Sequence, residues 1–306
     1  MRFRNAVLFV VLAAVWGSAF TAIKAGLAYF PPVLFAAFRY DLAGVLMLGY
    51  AAYATERWRP RGREEWLVVA VGGTFLIAAY HAFLFVGEQG TTSAAAAVVV
   101  SLSPILTTGF ARVLLPDERL TLLGVVGLGV GFVGVVVLSN PDPNNLGDTR
   151  TVSLFLVFLA ALSFAFGSVL TRRFDDDLPI ETMEAWSMVL GAGLMHVASA
   201  AVSESIGEVS WTGEGLLALG YLSLVASAVG FLIYFDLLER LGPIEINLVS
   251  YAAPIAAAVT GLVFLGERPT LSTAAGFALV CVGFVLLKRR AIREELGGEA
   301  ASVAGD

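Results

Sequence analysis

The chain has 306 residues, of which 58% are hydrophobic and 14% are charged, and its mean hydropathy is +0.83. Soluble domains carry about a quarter of charged residues, so this chain lacks the polar surface that would keep it in water. The formal net charge of −6 argues against a nucleic-acid partner. We therefore expect an integral membrane protein.

Apolar runs of the length needed to cross a bilayer recur along the whole chain. The first has a basic start like that of a signal peptide, but its apolar stretch is too long. Short connections with breakers such as "RWRPRGRE" and "RLGP" separate the runs. The sequence predicts an all-α membrane protein with ten transmembrane helices near residues 6–25, 33–54, 66–87, 92–115, 120–138, 152–171, 181–202, 214–238, 244–265 and 271–288.

The positions of the arginines predict the orientation of these spans. With the N-terminus inside, most of them fall on the inner side, including Arg57, Arg112 and Arg240, whereas Lys24 and a few others fall outside. Both termini are therefore predicted to be cytoplasmic, in the cell membrane. Residues 291–306 are expected to form a disordered cytoplasmic tail.

The chain repeats itself at a shift of about 150 residues. Phe85 falls on Phe235, Pro104 falls on Pro254, and the pair Glu118-Arg119 recurs as Glu267-Arg268. This predicts two copies of a five-helix unit, at residues 1–140 and 151–290. Because five is odd, the second copy would enter the membrane from the opposite side, which is characteristic of secondary transporters.

The motifs themselves resemble a known family. "VWGSAFTAIKAG", "PPVLFAAFRY", "TTSAAAAVVVSLSPI" and "LPDERLT" in the first half, with "LGPIEINLVSYAAPI" and "FLGERPT" in the second, are similar to the EamA-like branch of the drug/metabolite transporter superfamily. The resemblance implies a ten-helix carrier of small metabolites with a central cavity between its halves. Phe164 stands where the family pattern leads us to expect a tryptophan.

Two prolines fall in the middle of predicted spans. Pro104 and Pro254 each leave one helical carbonyl without its usual partner, those of Val100 and Ser250. One interpretation is a polar notch that acts as a hinge or accepts a hydrogen bond from substrate. The other is a kink satisfied by a nearby hydroxyl, from Ser101, Ser103 or Ser250.

Arg39 lies within the second predicted span, where an ionised side chain is costly and is usually retained for a reason. It is a candidate for binding a carboxylate or phosphate of the substrate. The alternatives are a structural partner, either Asp41 or an acid of another helix, and extension to the outer interface. His81 and His196 are the only histidines, and proton coupling through either is weighed against an ordinary hydrogen-bonding role.

Four aromatic residues are predicted to face the cavity: Trp16, Tyr80, Tyr234 and Tyr251. Glycines on spans five and ten allow close helix approach. They predict either a homodimer seam or packing of these two spans within one chain; the residues are Gly127, Gly131, Gly276 and Gly283.

Polar residues near span ends have simpler interpretations. Lys24 is predicted to complement the dipole of its own helix. The two Glu-Arg pairs are predicted to act as local caps or as ion pairs that stabilise their turns. Glu184 and Asp236 are expected to meet cytoplasmic water.

The function predicted is secondary transport, most plausibly export, of a small amino acid-like or amphiphilic metabolite by alternating access. The chain has no nucleotide-binding phosphate loop and no Cys/His pattern of a metal site, so neither a cofactor nor a metal is expected. Alternatives are a membrane scaffold or channel and, less plausibly, a membrane enzyme.

Overall fold

The computed structural model describes residues 2–115, 122–142, 145–174, 178–242 and 246–303. These residues form ten long helices and one short 3₁₀-helix, Ile206–Glu208, and contain no strand. We number the helices α1 to α10 in chain order: Arg2–Gly26, Pro32–Ala54, Arg63–Glu88, Ser93–Leu114, Leu122–Ser139, Thr149–Arg173, Ile180–Ala201, Gly213–Leu241, Val249–Leu265 and Leu271–Val303.

Seven of these helices, α1 to α6 and α8, are long and apolar enough to cross a membrane. The apolar stretches of α9 and α10, Val249–Leu265 and Leu271–Leu287, are shorter. Helix α7 belongs to neither group, and polar residues such as Glu184, Ser187 and His196 interrupt its apolar sequence. The helical segments fall where the ten predicted spans do, and the arrangement is compatible with two five-helix copies.

Two helices change their hydrogen-bonding pattern in the middle. Gly72–Ala79 within α3 and Tyr221–Val229 within α8 are π-helical. A π-helical turn widens the helix and disturbs the i→i−4 ladder, and such turns are frequent at functional sites. The two segments are about 150 residues apart, so they occupy matching places in the two halves.

Helix α4 is interrupted near its centre. A regular helix over Ser93–Val100 ends at a turn through Ser101 and Leu102, and a second one begins at Ser103. Pro104 therefore lies in the first turn of the second segment, where proline is tolerated. Pro254, by contrast, lies inside the continuous helix α9. The two prolines that the sequence makes equivalent thus occupy different local structures.

Packing joins helices of the two halves. Helix α2 packs along α7, α1 along α9, and α4 and the second part of α3 along α6. The centre of the bundle includes the fully buried Phe35, Tyr40, Phe85 and Val157.

Helices α5 and α10 pack against each other through glycines. A Cβ atom on Gly127 would lie 2.6 Å from the carbonyl oxygen of Gly283, and one on Gly134 would lie 2.7 Å from that of Gly276. Glycine is required here because the two backbones approach too closely for a side chain. The glycine stripe is therefore used within one chain and is not left open as a dimer seam.

The last helix extends beyond its apolar part. Its backbone remains helical to Val303, whereas the sequence predicts a disordered tail from residue 291. The segment is rich in Arg, Glu and Ala, which are strong helix formers, so the helix need not end with the apolar run. Residues 304–306 lie outside the described part of the chain.

Candidate functional site

Arg39 is buried near the centre of the bundle, with 6% of its surface exposed. Its Nε donates a hydrogen bond of 3.0 Å to Oγ of Ser227 in the π-helical part of α8. Its guanidinium also lies 5.1 Å from the ring centroid of Tyr40, within cation–π range. Asp41 is not its partner: the carboxylate of Asp41 instead accepts a hydrogen bond of 2.7 Å from Nε2 of His196. Within the described residues, Arg39 forms no ion pair.

His81 is held at both ring nitrogens. Nδ1 lies 2.9 Å from the carbonyl oxygen of Ile77, and Nε2 lies 2.7 Å from the hydroxyl of Tyr40. A carbonyl can only accept, so Nδ1 carries a proton and the neutral ring accepts from the Tyr40 hydroxyl at Nε2. Ile77 belongs to the π-helical segment of α3. Arg39, Tyr40 and His81 thus join α2 to the irregular segments of both α3 and α8.

Aromatic rings line both sides of this polar cluster. The Trp16 ring lies 5.9 Å from Phe231 and 5.4 Å from Tyr234. In the other half, the Tyr80 ring lies 4.4 Å from His81 and 5.4 Å from Phe164. In both places a ring on the first helix of one half meets a ring on the third helix of the other half.

Side-chain hydrogen bonds repeat this exchange between the halves. Trp16 Nε1 on α1 donates to the carbonyl of Ala226 in the π-helical part of α8, at 3.2 Å. Ser163 Oγ on α6 donates to the carbonyl of Phe75 in the π-helical part of α3, at 2.8 Å. Each first helix therefore supplies a donor to a carbonyl in the irregular segment of the opposite half.

The carbonyls near Pro104 have hydroxyl partners. Ser103 Oγ donates to the carbonyl of Val100 at 2.7 Å, and Ser101 Oγ donates to that of Val98 at 2.6 Å. The Val100 carbonyl, which the sequence predicts to lose its partner at Pro104, is thus satisfied by Ser103. This favours the structural interpretation of the break in α4.

Tyr251 is not brought together with the other three predicted aromatic residues. Its ring packs on Phe284 of α10, with centroids 4.4 Å apart. Its hydroxyl is buried and has no hydrogen-bond partner among the residues that the structure describes.

One end of the bundle, which we call the Lys24 end, is closed by two long-range contacts. Lys24 Nζ donates to the carbonyls of Glu88 and Gln89, at 2.8 and 2.9 Å, so it caps α3. Glu267 Oε2 accepts from the backbone N–H of Ser93 at 2.9 Å, so it caps α4 and not its own turn. The local cap predicted for Glu267 was wrong in this respect, whereas Lys24 does lie in the last turn of its own helix, as predicted, and binds the end of α3 in addition. Glu118 and Arg119 lie outside the described residues.

A cavity of about 390 Å³ opens at the Lys24 end. Its walls include Lys24, Gln89, Thr91, Arg150 and Glu267. All five side chains can form hydrogen bonds, and three of them carry charge, so this space suits water better than an apolar ligand.

The opposite end, which we call the Arg57 end, carries surface ion pairs. Asp236 lies 3.3 Å from Arg4 and 2.8 Å from Arg240, and Arg57 pairs with Glu65. Asp236 is partly exposed there. Glu184 is half-buried and within electrostatic range of both Tyr40 and Tyr234, so it faces the central cluster more directly than its sequence position predicts.

The architecture and this buried polar centre define a multi-pass integral membrane protein. Its residues 4–140 and 151–289 both match the model of the EamA-like transporter family. The chain belongs to the EamA-like transporter family.

Relatives of nearly the same length support this assignment. An uncharacterized transporter of Archaeoglobus fulgidus is 30% identical over 276 residues, which cover 90% of this chain and 95% of the relative. The uncharacterized inner membrane transporter YedA of Escherichia coli is 31% identical over 293 residues, covering 94% and 92%. A solved crystal structure matches with a TM-score of 0.66 at 24% identity, over 96% of this chain and 100% of that one, and shows the fold alone.

Sequence reasoning found part of the central cluster and missed the rest. It singled out Arg39, Tyr80 and His81 but not Tyr40 or Ser227, which bind two of them. The signal for Ser227 was available, because a serine in a long apolar run is a candidate hydrogen-bond partner. The π-helical segments carry no such local signature. In the described residues, no group of His, Cys, Asp or Glu is arranged to hold a metal ion.

Proposed function

We propose that this protein is a secondary transporter that exports a small amino acid-like metabolite across the cell membrane by alternating access. The observation that carries the proposal is the reciprocal bonding of α1 to α8 through Trp16 and Ala226, and of α6 to α3 through Ser163 and Phe75. Each half holds the irregular helix of the other. Two such equivalent contacts suit a movement in which the halves rock about a central site.

The chemistry of the central cluster suggests the substrate class. Arg39 keeps a guanidinium that no carboxylate of the described residues neutralises, so a substrate carboxylate is a suitable partner. Glu184 interacts electrostatically with Tyr40 and Tyr234, and its carboxylate is a suitable partner for a substrate amine. The rings of Trp16 and Tyr234 offer an apolar surface for a side chain. These groups together suit a zwitterion with an apolar part.

The orientation that we propose places the Arg57 end in the cytoplasm. Arginines concentrate at that end, as expected for cytoplasmic segments. The Lys24 end then faces outward, and its closure by Lys24 and Glu267 would be released when substrate leaves to the outside. Export, rather than import, is the direction in which we expect net transport.

A counterflow screen tests the proposal. Purified protein is reconstituted into liposomes, and the liposomes are loaded with an unlabelled amino acid, nucleobase or cationic dye. Entry of the same compound in labelled form is then measured. We expect saturable exchange of an apolar amino acid, lost on Arg39→Ala and preserved on Arg240→Ala, which removes an exposed arginine. Absence of exchange across all three compound classes in folded protein would support a scaffold instead. Rapid non-saturable entry would support a channel.

A further inference from the structure

Glu88 is the most deeply buried acid among the described residues. It is the last residue of α3 and its exposure is 0%. Neither carboxylate oxygen has a hydrogen-bond partner in the part of the chain that the structure describes. Its backbone carbonyl, in contrast, accepts a bond from Lys24. The main-chain carbonyl of Glu88 is therefore hydrogen-bonded, whereas its side-chain carboxyl group is left without a described partner.

An ionised carboxylate in this place would be strongly unfavourable. Burying a charge costs several kcal/mol unless it is paired and hydrogen-bonded. Lys24 is the nearest basic group, but its Nζ donates to the carbonyls of Glu88 and Gln89, and it forms no ion pair with the Glu88 carboxylate. The described packing therefore accommodates Glu88 in its neutral, protonated form.

The charged groups around Glu88 come from several elements. Lys24 of α1 and Arg39 of α2 are the cations within electrostatic range, and Glu267 of the α9–α10 connection is an opposing acid. Helix α6 contributes Arg150 to the neighbouring cavity. The only charged residue of α4, Arg112, lies at the opposite end of that helix. On α3 itself, the nearest titratable groups are His81 and Tyr80.

The chain runs from Glu88 directly into the wall of a cavity. Gln89, Gly90 and Thr91, which follow Glu88 in the chain, line the 390 Å³ cavity at the Lys24 end. The hydrogen bonds of Lys24 and Glu267 close that end around α3 and α4. These hydrogen bonds hold the backbone on both sides of the turn that follows Glu88.

We propose that Glu88 is a proton-binding site that is loaded when the Lys24 end is closed and unloaded when it opens. On opening, the carboxyl O–H bond breaks, the proton passes to a water molecule of the cavity, and the electron pair stays on the carboxylate. On closing, the carboxylate takes up a proton again. This inference rests on the proposed transport function, in which it would couple proton movement to the change of conformation.

Accessibility of the cavity tests this without any substrate. A cysteine is placed at Thr91, which is buried in the closed packing, in a Cys281→Ser background. Its labelling rate by a membrane-impermeant maleimide is measured in liposomes between about pH 5 and about pH 9. Each rate is divided by that of Glu208→Cys, an exposed thiol, because thiol reactivity itself depends on pH.

We expect the normalised rate at Thr91→Cys to rise about tenfold or more with pH, since an ionised Glu88 disfavours the closed packing. In Glu88→Gln, which keeps a neutral side chain, the rate should stay low at every pH. Glu214→Gln, which alters an exposed acid at the start of α8, should behave like the parent. An unchanged pH dependence in Glu88→Gln would overturn the proposal. So would a rate controlled by sodium concentration at fixed pH, because it would identify a metal cation as the occupant.

Infrared spectroscopy gives a second measurement that does not depend on opening. The carbonyl stretch of a protonated carboxyl group should be present at neutral pH in the purified protein and absent in Glu88→Gln. If it is the same in both, Glu88 is not protonated and the proposal fails. If the counterflow screen finds no exchange but the labelling and infrared measurements give the expected results, the transport proposal fails and the proton site remains. The failures of the two proposals can therefore be distinguished.

Discussion

Replacing Tyr40 by phenylalanine isolates the hydrogen bond that orients His81. The Tyr40 side chain is 1% exposed and its hydroxyl lies 2.7 Å from His81 Nε2. The substitution removes one oxygen atom and keeps the ring that packs against His81 at 4.5 Å. The perturbation is therefore mainly the loss of this hydrogen bond, together with the weaker interaction of the hydroxyl with Ser227, and it changes the core volume little.

The expected loss of stability depends on the His81 nitrogen that Tyr40→Phe leaves without a donor. His81 is 6% exposed, so its Nε2 would be left as a buried acceptor without a donor. Loss of one partner from a buried pair costs about 1–3 kcal/mol in the free energy of unfolding. For a chain of this size, we expect the melting temperature to fall by roughly 2–6 °C.

Thermal unfolding of purified protein in detergent, followed by tryptophan fluorescence, measures this change. Tyr53→Phe is the matched control, because that ring is 91% exposed and its hydroxyl should matter little. In a His81→Ala background, Tyr40→Phe should cost about 1 kcal/mol less than in the parent, since the two residues interact directly. Equal costs in both backgrounds would refute the assignment of Tyr40 as the residue that holds the ring of His81.

Three further changes test other parts of the structure. Gly134→Val should destabilise the fold by about 1–3 kcal/mol through overpacking against α10, whereas Gly129→Val, which has open space around it, should be tolerated in the same melting assay. Glu267→Ala should cost about 0.5–2 kcal/mol by uncapping α4, and Arg268→Ala, an exposed neighbour, should cost less than about 0.5 kcal/mol. The side chain of Thr151, followed by the backbone N–H groups of Thr151 and Arg150, donates hydrogen bonds that lower the pKa of Asp148. The contribution of Asp148 to stability is therefore present above its ordinary pKa and lost as the pH falls. Asp148→Asn should flatten the dependence of the melting temperature on pH below about pH 4, and an unchanged acid slope would contradict this.

The sequence predicted the helical architecture because apolar length is a strong signal for spans. Each predicted span overlaps a helix of the structure, and seven of these helices are long and apolar enough to cross a membrane. The recurrence of Pro104 at Pro254 led to the hypothesis of duplication, with which the structure is compatible. The irregular segments within the helices were not predicted from the sequence. Proline marks a break in a sequence, but the π-helical segments arise from packing and carry no residue that a local pattern would single out.

The sequence also did not predict which residues form hydrogen bonds across the fold. Arg39 was identified as an unusual residue, but its contact is Ser227, which is distant in the chain, and not the adjacent Asp41. Lys24 and Glu267 were interpreted through their own helix or turn, yet each caps a different helix. Capping rules predict which chemical groups are needed at helix ends, but only the tertiary fold decides which side chain supplies them.

These cross-helix caps give the Lys24 end a property that local caps would not. A cap from the same turn would stay with its helix during any rigid movement and would not resist it. Lys24 and Glu267 come from α1 and from the α9–α10 connection, so their hydrogen bonds must break if those elements move away from α3 and α4. Helices α1 and α9 also pack along each other, which suggests that both caps would be released in one movement. The closure of this end and the burial of Glu88 are thereby tied to the same few contacts.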